Sequence, residues 1–499
     1  MEGNMGYTYR GDLPQTGVRF RTEDAALQEL FELAQQKAKK NIFDFGGTKV
    51  MIEGSALYRG VWIETQPMGG EIYAAQDAEV ALGNQLIFIN NAREDGRLPG
   101  CIFFEEGKLR CRYDMLQGYC FPVPALKTAW WIGLDKGYLS ALYKALRAHD
   151  EYLWKYRDPA GTGCLQSWCV WDTGEDNGVR FGKADDSWSG ETPPCFERMP
   201  FYSMDVMSYS YDGRKTLARI SELLGNGEEA MWREKAEYVR RRLREYLWRE
   251  EKGACYDRDR FGNFTDTLLH NNLRCMYHGS FTQDMAERFV REHLLNPNEF
   301  WTPFPLPSVA ANDPAFRNLG ENNWSGQPQS LTYQRAIFAL ENYGFYSVMK
   351  QLGEKYLSVM KRYKMFVQQF DPFLCKPSMS HDDYGPSILA VFAYVAHLYG
   401  IFRDEDTLAW TSAGGADGEY EQTIGENRYT LSRFGDTFTG FRNGKELFSA
   451  SAGVRVVTDF EGKIRALIGL DGGTVRLNAG GRTLYGGELP ADRCIRFGA

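Results

Sequence analysis

Hydrophobic residues recur at every third or fourth position in many stretches between residues 22 and 402, the spacing that lines one face of an α-helix. Leu139, Leu142 and Leu146 form one such series. The connectors between these stretches are rich in Gly, Pro, Asn and Trp, at residues 58–71, 158–200, 297–330 and 370–387. Because links between packed helices need only a few residues, connectors of this length indicate that the functional site lies in the loops.

The pattern changes after about residue 405. Segments such as 454–457 and 463–468 are rich in β-branched residues and are separated by Asp-Gly and Gly-Gly turns, as in antiparallel strands. We therefore expect three parts: an N-terminal extension (1–20), a helical catalytic domain (21–404) and a small antiparallel β module (405–499).

Charge and composition exclude several classes of function. The 499-residue chain has 66 acidic and 58 basic side chains, a formal charge of −8, and no cluster of basic residues, which argues against nucleic acid as a partner. It has no apolar run long enough to span a membrane and no signal-peptide pattern, so we expect a cytoplasmic protein. Ten cysteines without a Cys-x-x-Cys pair and six histidines without metal-ligand spacing predict reduced thiols and no metal or cofactor. Nothing in the sequence favours a monomer over a homo-oligomer.

The stretch 166–181 concentrates charge beside aromatic rings. Asp172, Glu175 and Asp176 lie close together after Trp168 and Trp171. Neighbouring carboxylates and a wall that excludes water both raise a carboxyl pKa, as a group that donates a proton near neutral pH requires. A solvated acidic loop or a calcium site is the alternative interpretation, although the remaining ligands of a calcium loop are missing.

Residues 172–180 resemble the Glu-Ser-Gly-x-Asp-Asn-Ser signature of the inverting glycosidases of glycoside hydrolase families 63 and 37, the mannosylglycerate hydrolase and trehalase group. Asp172 stands at the Glu of that motif and Gly178 at its final Ser. The resemblance implies a mainly α fold, the (α/α)6 toroid or six-hairpin barrel, with the active site in loops at one end. It also implies that Asp176 is the general acid.

Three further stretches resemble other elements of these families in the same chain order. Residues 58–65 resemble a Trp-x-Asp-Ser element that lines the sugar site, with Glu64 in place of Asp. Residues 95–100 resemble an Asp-Gly-x-(Ile/Leu)-Pro turn, and residues 322–329 resemble a substrate-facing Tyr-Trp-Arg-Gly-Pro loop. Together with the signature, these matches extend over the helical region and leave the β module unexplained.

The general base departs from the family pattern. Gln368 occupies the position where these families carry a catalytic Glu, and an amide cannot deprotonate water. Asp383 lies 15 residues further along the chain (383 − 368 = 15), near the place of a second substrate-facing Glu in trehalases. We therefore predict Asp383 as the proton acceptor, with Asp382 next and Glu321 as the rival.

Aromatic residues make up 14% of the chain, and several tryptophans lie in the polar connectors. Sugar rings pack their C–H faces on such rings, and amide, guanidinium and carboxylate groups bind the sugar hydroxyls. The residues predicted to contact substrate are Trp62, Glu64, Trp168, Trp171, Asp172, Glu175, Asn177, Arg180, Trp188, Trp324, Gln327 and Gln368.

These observations predict a glycoside hydrolase that cleaves an α-linked disaccharide or small glycoside with inversion, using one neutral and one ionised carboxyl group. Two alternatives stay open on the same barrel, a glycoside phosphorylase and an unsaturated-uronide hydrolase, since either could dispense with a base at position 368. The third alternative is a catalytically silent carbohydrate-binding protein.

Overall fold

The computed structural model describes residues 6–56 and 58–498. In this part of the chain, the helices are α1 Ala25–Lys40, α2 Ala78–Ile89, α3 Pro122–Trp131, α4 Lys136–Tyr156, α5 Met204–Leu224, α6 Glu229–Leu247, α7 Asn271–Tyr277, α8 Gln283–Phe289, α9 Ser330–Glu341, α10 Tyr346–Tyr363 and α11 Gly385–Tyr399. None of the described helices is long and apolar enough to cross a membrane.

Side-chain oxygens start several of these helices. The Asp135 carboxylate accepts a hydrogen bond from the Tyr138 backbone N–H at the start of α4, and Ser203 does the same for Val206 at the start of α5. Such caps satisfy amide groups that have no partner within the helix. Helix α5 ends at Gly225, whose left-handed backbone suits glycine.

The helices fall into two groups by burial. Helix α6 buries a single stripe that includes Trp232, Val239 and Leu243, as an amphipathic outer helix does. Helix α11 is instead buried from Gly385 to Leu398, so that neighbours cover it on every side. This difference identifies an inner set of elements inside an outer layer.

The inner set contains α3, α5, α7, α9 and α11, which pack against one another in that order. Two short 3-10 turns, Gln66–Gly70 and Tyr73–Ala75, are also largely buried, and the first of them packs on α3. The Tyr73 ring lies 6.4 Å from that of Phe392 in α11. The 3-10 segment therefore contacts both the first and the last inner helix.

The strands of the N-terminal and helical regions are β1 Thr16–Thr22, β2 Ile42–Asp44, β3 Lys49–Met51, β4 Gly60–Trp62, β5 Cys101–Glu105, β6 Lys108–Arg112, β7 Gln166–Ser167, β8 Phe201–Tyr202, β9 Trp248–Arg249, β10 Ala254–Cys255, β11 Phe370–Asp371 and β12 Lys376–Pro377. The C-terminal strands are β13 Ile401–Asp404, β14 Thr407–Ser412, β15 Gly418–Ile424, β16 Asn427–Phe434, β17 Thr437–Arg442, β18 Lys445–Ser451, β19 Val454–Asp459, β20 Ile464–Gly469, β21 Gly473–Ala479, β22 Arg482–Leu489 and β23 Cys494–Arg496.

The C-terminal strands form two antiparallel sheets, as the sequence indicates. One has the order β1-β15-β16-β17-β18-β21-β22 and the other β13-β14-β19-β20-β23. Strand β1 comes from the N-terminal part of the chain and pairs with β15, with Val18 opposite Gln422. The division into 1–20, 21–404 and 405–499 stays a prediction.

Candidate active site

Two adjoining cavities, of about 340 and 50 Å3, form a cleft beside the segments that lead into the inner helices. The shared wall consists of Tyr58, Trp62, Gln117, Asp176 and Asn322. The inner cavity adds Glu53, Glu64, Gly174, Trp324, Gln368 and Tyr384. The outer cavity adds Cys101, Phe103, Arg112, Met115, Trp171, Asn177 and Asp186.

Asp176 belongs to both cavities, and its loop holds it there. The loop turns at Gly174 and Asn177, which both have positive φ. The Asn322 amide donates to the Asp176 carboxylate at 2.6 Å, and the Trp324 backbone N–H donates to the Asp176 carbonyl at 3.1 Å. The acidic loop is thus joined to the 322–324 loop, as expected if both serve one site.

The environment of Asp176 suits a proton donor. Burial raises its pKa to about 6, and the nearby charges of Asp186 and Glu175 act in the same direction. Hydrogen bonds from Asn322 and Trp171 oppose the shift only in part. A carboxyl group with a pKa near 6 keeps its proton in about one molecule in ten at pH 7, far more often than an ordinary Asp, and a general acid needs this protonated form.

Glu64 and Glu53 face the inner cavity with Asp176. Burial raises the pKa of Glu64 to about 7, even though the guanidinium groups of Arg335 and Arg274 lie 3.3 and 3.8 Å from its Oε1 and favour the charged form. Burial, and next the charge of Glu64, raise the pKa of Glu53 well above its ordinary value. The hydroxyl of Tyr384 lowers it only in part.

Gln368 also lines the inner cavity. Tyr58 donates its hydroxyl to Gln368 Oε1 at 2.9 Å, and Gln368 Nε2 donates to Asn322 Oδ1 at 2.7 Å. The Tyr58 ring lies 6.1 Å from the ring of Tyr384, the partner of Glu53. The side chain at position 368 is therefore an amide fixed by two hydrogen bonds, and Glu53 lines the same cavity.

Three of the five predicted tryptophans line the cleft, namely Trp62, Trp171 and Trp324. The other two do not. Trp168 is 1% exposed and packs under the guanidinium of an arginine, 4.4 Å from its ring. Trp188 donates its indole N–H to a backbone carbonyl and packs against Phe196.

Asp172 lies outside the cleft, contrary to the prediction that it contacts substrate. It is fully buried, pairs with both terminal nitrogens of Arg157 and accepts backbone N–H bonds from Leu116 and Trp168. Burial by itself would raise its pKa, but Arg157 lowers it below the ordinary value. Asp172 therefore anchors the loop that carries Asp176.

Glu175 and Arg180 belong to a buried ion network beneath the cleft. Arg180 lies 2.8 Å from Glu175, 2.9 Å from Asp205 and 3.3 Å from Asp257. Neither residue is part of the cleft wall. Because their charges are neutralised within the protein, both are in a position to hold the loop rather than to bind a sugar.

Asn177 and Gln327 have different positions. Asn177 lines the outer cavity and donates its amide N–H to the Asn322 carbonyl at 3.1 Å. Gln327 is 4% exposed and donates to Asn318 at 2.9 Å, outside the cleft wall. The structure thus brings Asn177 to the cleft and leaves Gln327 in a supporting position.

The three acidic residues predicted as proton acceptors also lie outside the cleft wall. Asp383 accepts hydrogen bonds from the Ser55 hydroxyl and the Ala56 N–H, at 2.7 and 2.6 Å. Asp382 forms an ion pair with Lys37 at 3.1 Å. Glu321 is exposed at a turn. Asp382 and Asp383 hold loops in place, and none of the three carboxylates lies where it could accept a proton from a water in the cleft.

Residues 71–385, more than half of the chain, match the mannosylglycerate hydrolase MGH1-like glycoside hydrolase domain. The chain belongs to this family of glycoside hydrolases. It matches none of the curated proteins by sequence.

Solved structures of low sequence identity share the fold of this glycosidase. The glycoside hydrolase family 63 mannosylglycerate hydrolase from Thermus thermophilus, in complex with glucose, has 17% identity and a TM-score of 0.60, covering 73% of this chain and 99% of that one. Neutral trehalase from Saccharomyces cerevisiae has 15% identity and a TM-score of 0.54, covering 70% and 74%. The family 78 rhamnosidase of Bacillus sp. GL1 has 14% identity and a TM-score of 0.60, covering 84% and 40%.

Proposed function

We propose that this glycosidase cleaves a neutral α-linked disaccharide or small glycoside with inversion of the anomeric carbon. The inner helices and the 3-10 segment would close into an (α/α)6 barrel with the cleft at one end. The observation that carries the proposal is Asp176, whose raised pKa and position in a tryptophan-lined cleft that also holds the carboxyl groups of Glu53 and Glu64 suit a general acid. The cytoplasmic location stays a prediction.

Asp176 would protonate the leaving oxygen, and Glu53 would accept a proton from the attacking water. The base must lie across the sugar from the acid, with a separation of roughly 6.5–9.5 Å that leaves room for water. Glu53 is supported by its place near Tyr58, whose hydroxyl donates to Gln368, the residue that stands at the expected position of the family's base. The reactive form has its proton on Asp176 and none on Glu53. Because burial favours the protonated form of Glu53, this reactive form is a minor one, and we expect a bell-shaped pH profile that belongs to the coupled pair.

Glu64 is better suited to holding sugar hydroxyls. A Cβ at Gly174 would lie 2.2 Å from Glu64 Oε2, so Glu64 packs directly under the loop of Asp176, on the side of the acid. Arg335 and Arg274 keep its carboxylate oriented. An oriented, partly ionised carboxylate can accept two hydroxyl hydrogen bonds.

The charge of the cleft favours a neutral substrate. Its wall contains four carboxyl groups, and Arg112 is the one cation among the described residues that line it. Arg112 is already paired with Asp114 at 2.7 Å. An anionic ligand would therefore meet carboxyl groups, part of them ionised, and no free cation in the described wall to bind it.

The same argument weighs against three anionic ligands. These are the phosphate of a phosphorylase, the carboxylate of an unsaturated uronide, and mannosylglycerate, the substrate named for the Thermus thermophilus relative. We expect this chain to hydrolyse mannosylglycerate at least tenfold less efficiently than its best neutral α-glycoside. A clear preference for mannosylglycerate, or turnover that requires phosphate, would contradict the proposal.

The test is proton NMR of the purified protein with neutral α-linked disaccharides such as trehalose, maltose and kojibiose. Inversion releases the β anomer first from the cleaved α bond. We expect Asp176→Asn and Glu53→Gln each to lower kcat by about 10^2 to 10^4, the usual contribution of a general acid or base. Glu321→Gln, at an exposed turn, is the matched control and should leave kcat unchanged. Sugar binding that persists without turnover in the unaltered protein would favour the catalytically silent alternative.

A double variant tests the proton acceptor. Glu53→Gln combined with Gln368→Glu returns the carboxylate to the family's position and keeps the number of carboxyl groups constant. We expect this variant to recover part of the activity that Glu53→Gln loses. Full activity of Glu53→Gln alone would remove Glu53 from the mechanism.

A further inference from the structure

Asn322 lines both cavities of the cleft and connects Asp176 to residues of the inner cavity. Its side-chain Oδ1 accepts two hydrogen bonds, from Gln368 Nε2 at 2.7 Å and from the indole N–H of Trp324 at 3.1 Å. Its Nδ2 donates to Asp176 Oδ2 at 2.6 Å. We propose that Asn322 is a positioning residue of the acid step, which makes Oδ2 of Asp176 the accepting oxygen and keeps the transferred proton on Oδ1. This inference rests on the proposed function, in which Asp176 is the general acid.

The orientation of the Asn322 amide follows from the chemistry of its partners. An indole nitrogen can only donate a hydrogen bond, so the Asn322 atom that faces Trp324 must be the oxygen. Gln368 fits the same assignment, because Tyr58 donates its hydroxyl to Gln368 Oε1 and leaves Nε2 to donate to Asn322. The other end of the Asn322 amide is therefore the NH2 group, which can only donate to Asp176.

The backbone around Asn322 holds its side chain in this position. Glu321 and Asn322 both have left-handed backbone, with φ of 60° and 57°. The Asn322 N–H donates to Gln369 Oε1 at 2.6 Å, and the Asn322 carbonyl accepts from Asn177 Nδ2 at 3.1 Å. Residues other than glycine rarely adopt this conformation, and it persists where the surrounding contacts enforce it. The amide of Asn322 is therefore fixed before a substrate binds.

A fixed donor determines which oxygen of Asp176 carries the proton. When a carboxyl group is protonated, its other oxygen is the better acceptor, so donation from Asn322 to Oδ2 favours the proton on Oδ1. In the acid step this proton moves from Oδ1 to the leaving oxygen, while the bond between that oxygen and the anomeric carbon breaks. The same donor stabilises the carboxylate that remains, and for this reason its hydrogen bond lowers the pKa of Asp176.

Other groups also act on Asp176, and replacing Asn322 does not alter them. Trp171 makes the second hydrogen bond that lowers the pKa of Asp176. The titratable neighbours of Asp176 are Glu175 and Asp186 in the connector of the acid loop, and Glu53, Tyr58 and Glu64 in the segment before α2. Arg112 lines the outer cavity and is paired with Asp114. A change that follows from replacing Asn322 alone therefore reports its own hydrogen bond.

The experiment compares two leaving groups on the full chain. The leaving oxygen of a disaccharide needs the proton of Asp176, whereas fluoride leaves as a stable anion and needs almost none. The substrates are the best neutral α-disaccharide and the α-fluoride of its reacting sugar. Asn322→Gly suits the left-handed backbone and lacks the amide, and should lower kcat for the disaccharide at least about tenfold. Its kcat for the fluoride should change by less than about threefold.

The pH profile provides an independent measurement. Without the Asn322 donor the pKa of Asp176 rises, so the centre of the bell-shaped profile of kcat/KM moves to higher pH, whichever limb belongs to Asp176. A hydrogen bond to a charged group corresponds to a change in pKa of about 1 to 2 units, which moves the centre by about half as much. A higher pKa by itself leaves more Asp176 protonated, so a simultaneous loss of kcat reports the orientation of the proton.

A second variant and a control complete the set. Asn322→Asp has the same size but places a carboxyl group beside Asp176, so it should move the centre at least as far upward and also lose the disaccharide selectively. Asn323→Ala is the matched control, because Asn323 lies in the same loop and its Oδ1 accepts from the Ser325 N–H at 3.0 Å. It should leave the ratio of the two kcat values and the centre of the profile unchanged. Equal loss of both substrates in the Asn322 variants, or a profile that does not move, would overturn the proposal.

Asp176→Asn, measured with the same two substrates, separates this inference from the proposed function. It should lose turnover of the disaccharide and keep turnover of the fluoride. If it does so while both Asn322 variants keep full activity on the disaccharide, only the positioning role of Asn322 is wrong. If Asp176→Asn loses neither activity, or both equally, the proposed role of Asp176 as the acid is wrong.

Discussion

Asp172 and Asp176 lie four residues apart in one loop, yet replacing each by Asn should change stability in opposite directions. Asp172 and Arg157 are both fully buried and face each other. In Asp172→Asn the charge of Arg157 loses its counter-ion, and breaking a buried ion pair on one side costs about 3–5 kcal/mol. We expect the free energy of unfolding to fall by that amount.

Asp176→Asn should stabilise the protein at neutral pH. The pKa of Asp176 rises from 3.8 to about 6 on folding, a shift of about 2 units that corresponds to about 3 kcal/mol. Because the folded state holds this proton more tightly, stability declines as the pH rises from about 4 to about 6 and then stays level. Removing the carboxylate should therefore add up to about 3 kcal/mol near pH 7 and almost nothing near pH 4.

The measurement is urea-induced unfolding of both variants at these two pH values, beside kcat for the best neutral glycoside. Asp176→Asn should be inactive and more stable, whereas the folded fraction of Asp172→Asn should keep measurable activity. Equal loss of stability in both variants would refute the assignment of one carboxylate to the scaffold and the other to catalysis. An Asp172→Asn variant with an unchanged free energy of unfolding would refute this assignment as well.

Two other substitutions test the frame around the cleft. Gly174→Ala places a Cβ 2.2 Å from Glu64 Oε2 and should lower kcat/KM at least tenfold. Gly161 is the control, because it has a similar φ but open space around it. Gly161→Ala should lower the free energy of unfolding without changing kcat/KM. Glu341→Gln should destabilise the contact between α9 and the C-terminal sheets, because Glu341 pairs there with Arg455. Burial alone would raise the pKa of Glu341, but Arg455 lowers it to about 2. Because of this lowered pKa, ionised Glu341 stabilises the folded state by about 3 kcal/mol above about pH 4.5, and this stabilisation is lost as the pH falls toward 2. Urea unfolding should therefore show a lower free energy of unfolding for Glu341→Gln at neutral pH and no difference in acid.

Local sequence was sufficient to predict the helical region and the β module. Periodic hydrophobic residues identify outer helices such as α6, because only one face of such a helix is buried. The same signal is weaker for α11, where nearly every residue is buried, and the helical periodicity predicted up to residue 402 runs past the end of this helix into β13. The pairing of β1 with β15 joins distant parts of the chain, and no local pattern indicates it.

The acid loop could be found from sequence, but not the separate roles of its carboxylates. Asp172, Glu175 and Asp176 carry the same chemical group, and their roles differ through the arginines that surround them. Arg157 and Arg180 neutralise the first two, whereas Asp176 is left with amide and indole donors. These partners come from positions that spacing along the loop does not specify.

For Glu53, the proposed proton acceptor, nothing beside it in the chain indicates chemistry. It follows a short apolar strand and precedes Gly54 and Ser55, without an aromatic or acidic neighbour. Its partners, Tyr384 and Glu64, reach it only through the fold. The spacing from Gln368 predicts Asp383, but the carboxylate of Asp383 accepts a hydrogen bond from Ser55, in the loop that follows Glu53.

The amide at position 368 fits the chain of hydrogen bonds that ends at Asp176. Gln368 Nε2 donates to Asn322 Oδ1, and Asn322 in turn donates to Asp176. A carboxylate at 368 could accept from Tyr58 but could not donate to Asn322, and it would add a further acidic group to a cavity that already holds three. Gln368→Glu alone should therefore raise the pKa of Asp176, shift the pH optimum upward and lower kcat near neutral pH, although it restores the residue of the family. Increased activity in this single variant would mean that the cleft lacks a working base and that Glu53 does not supply one.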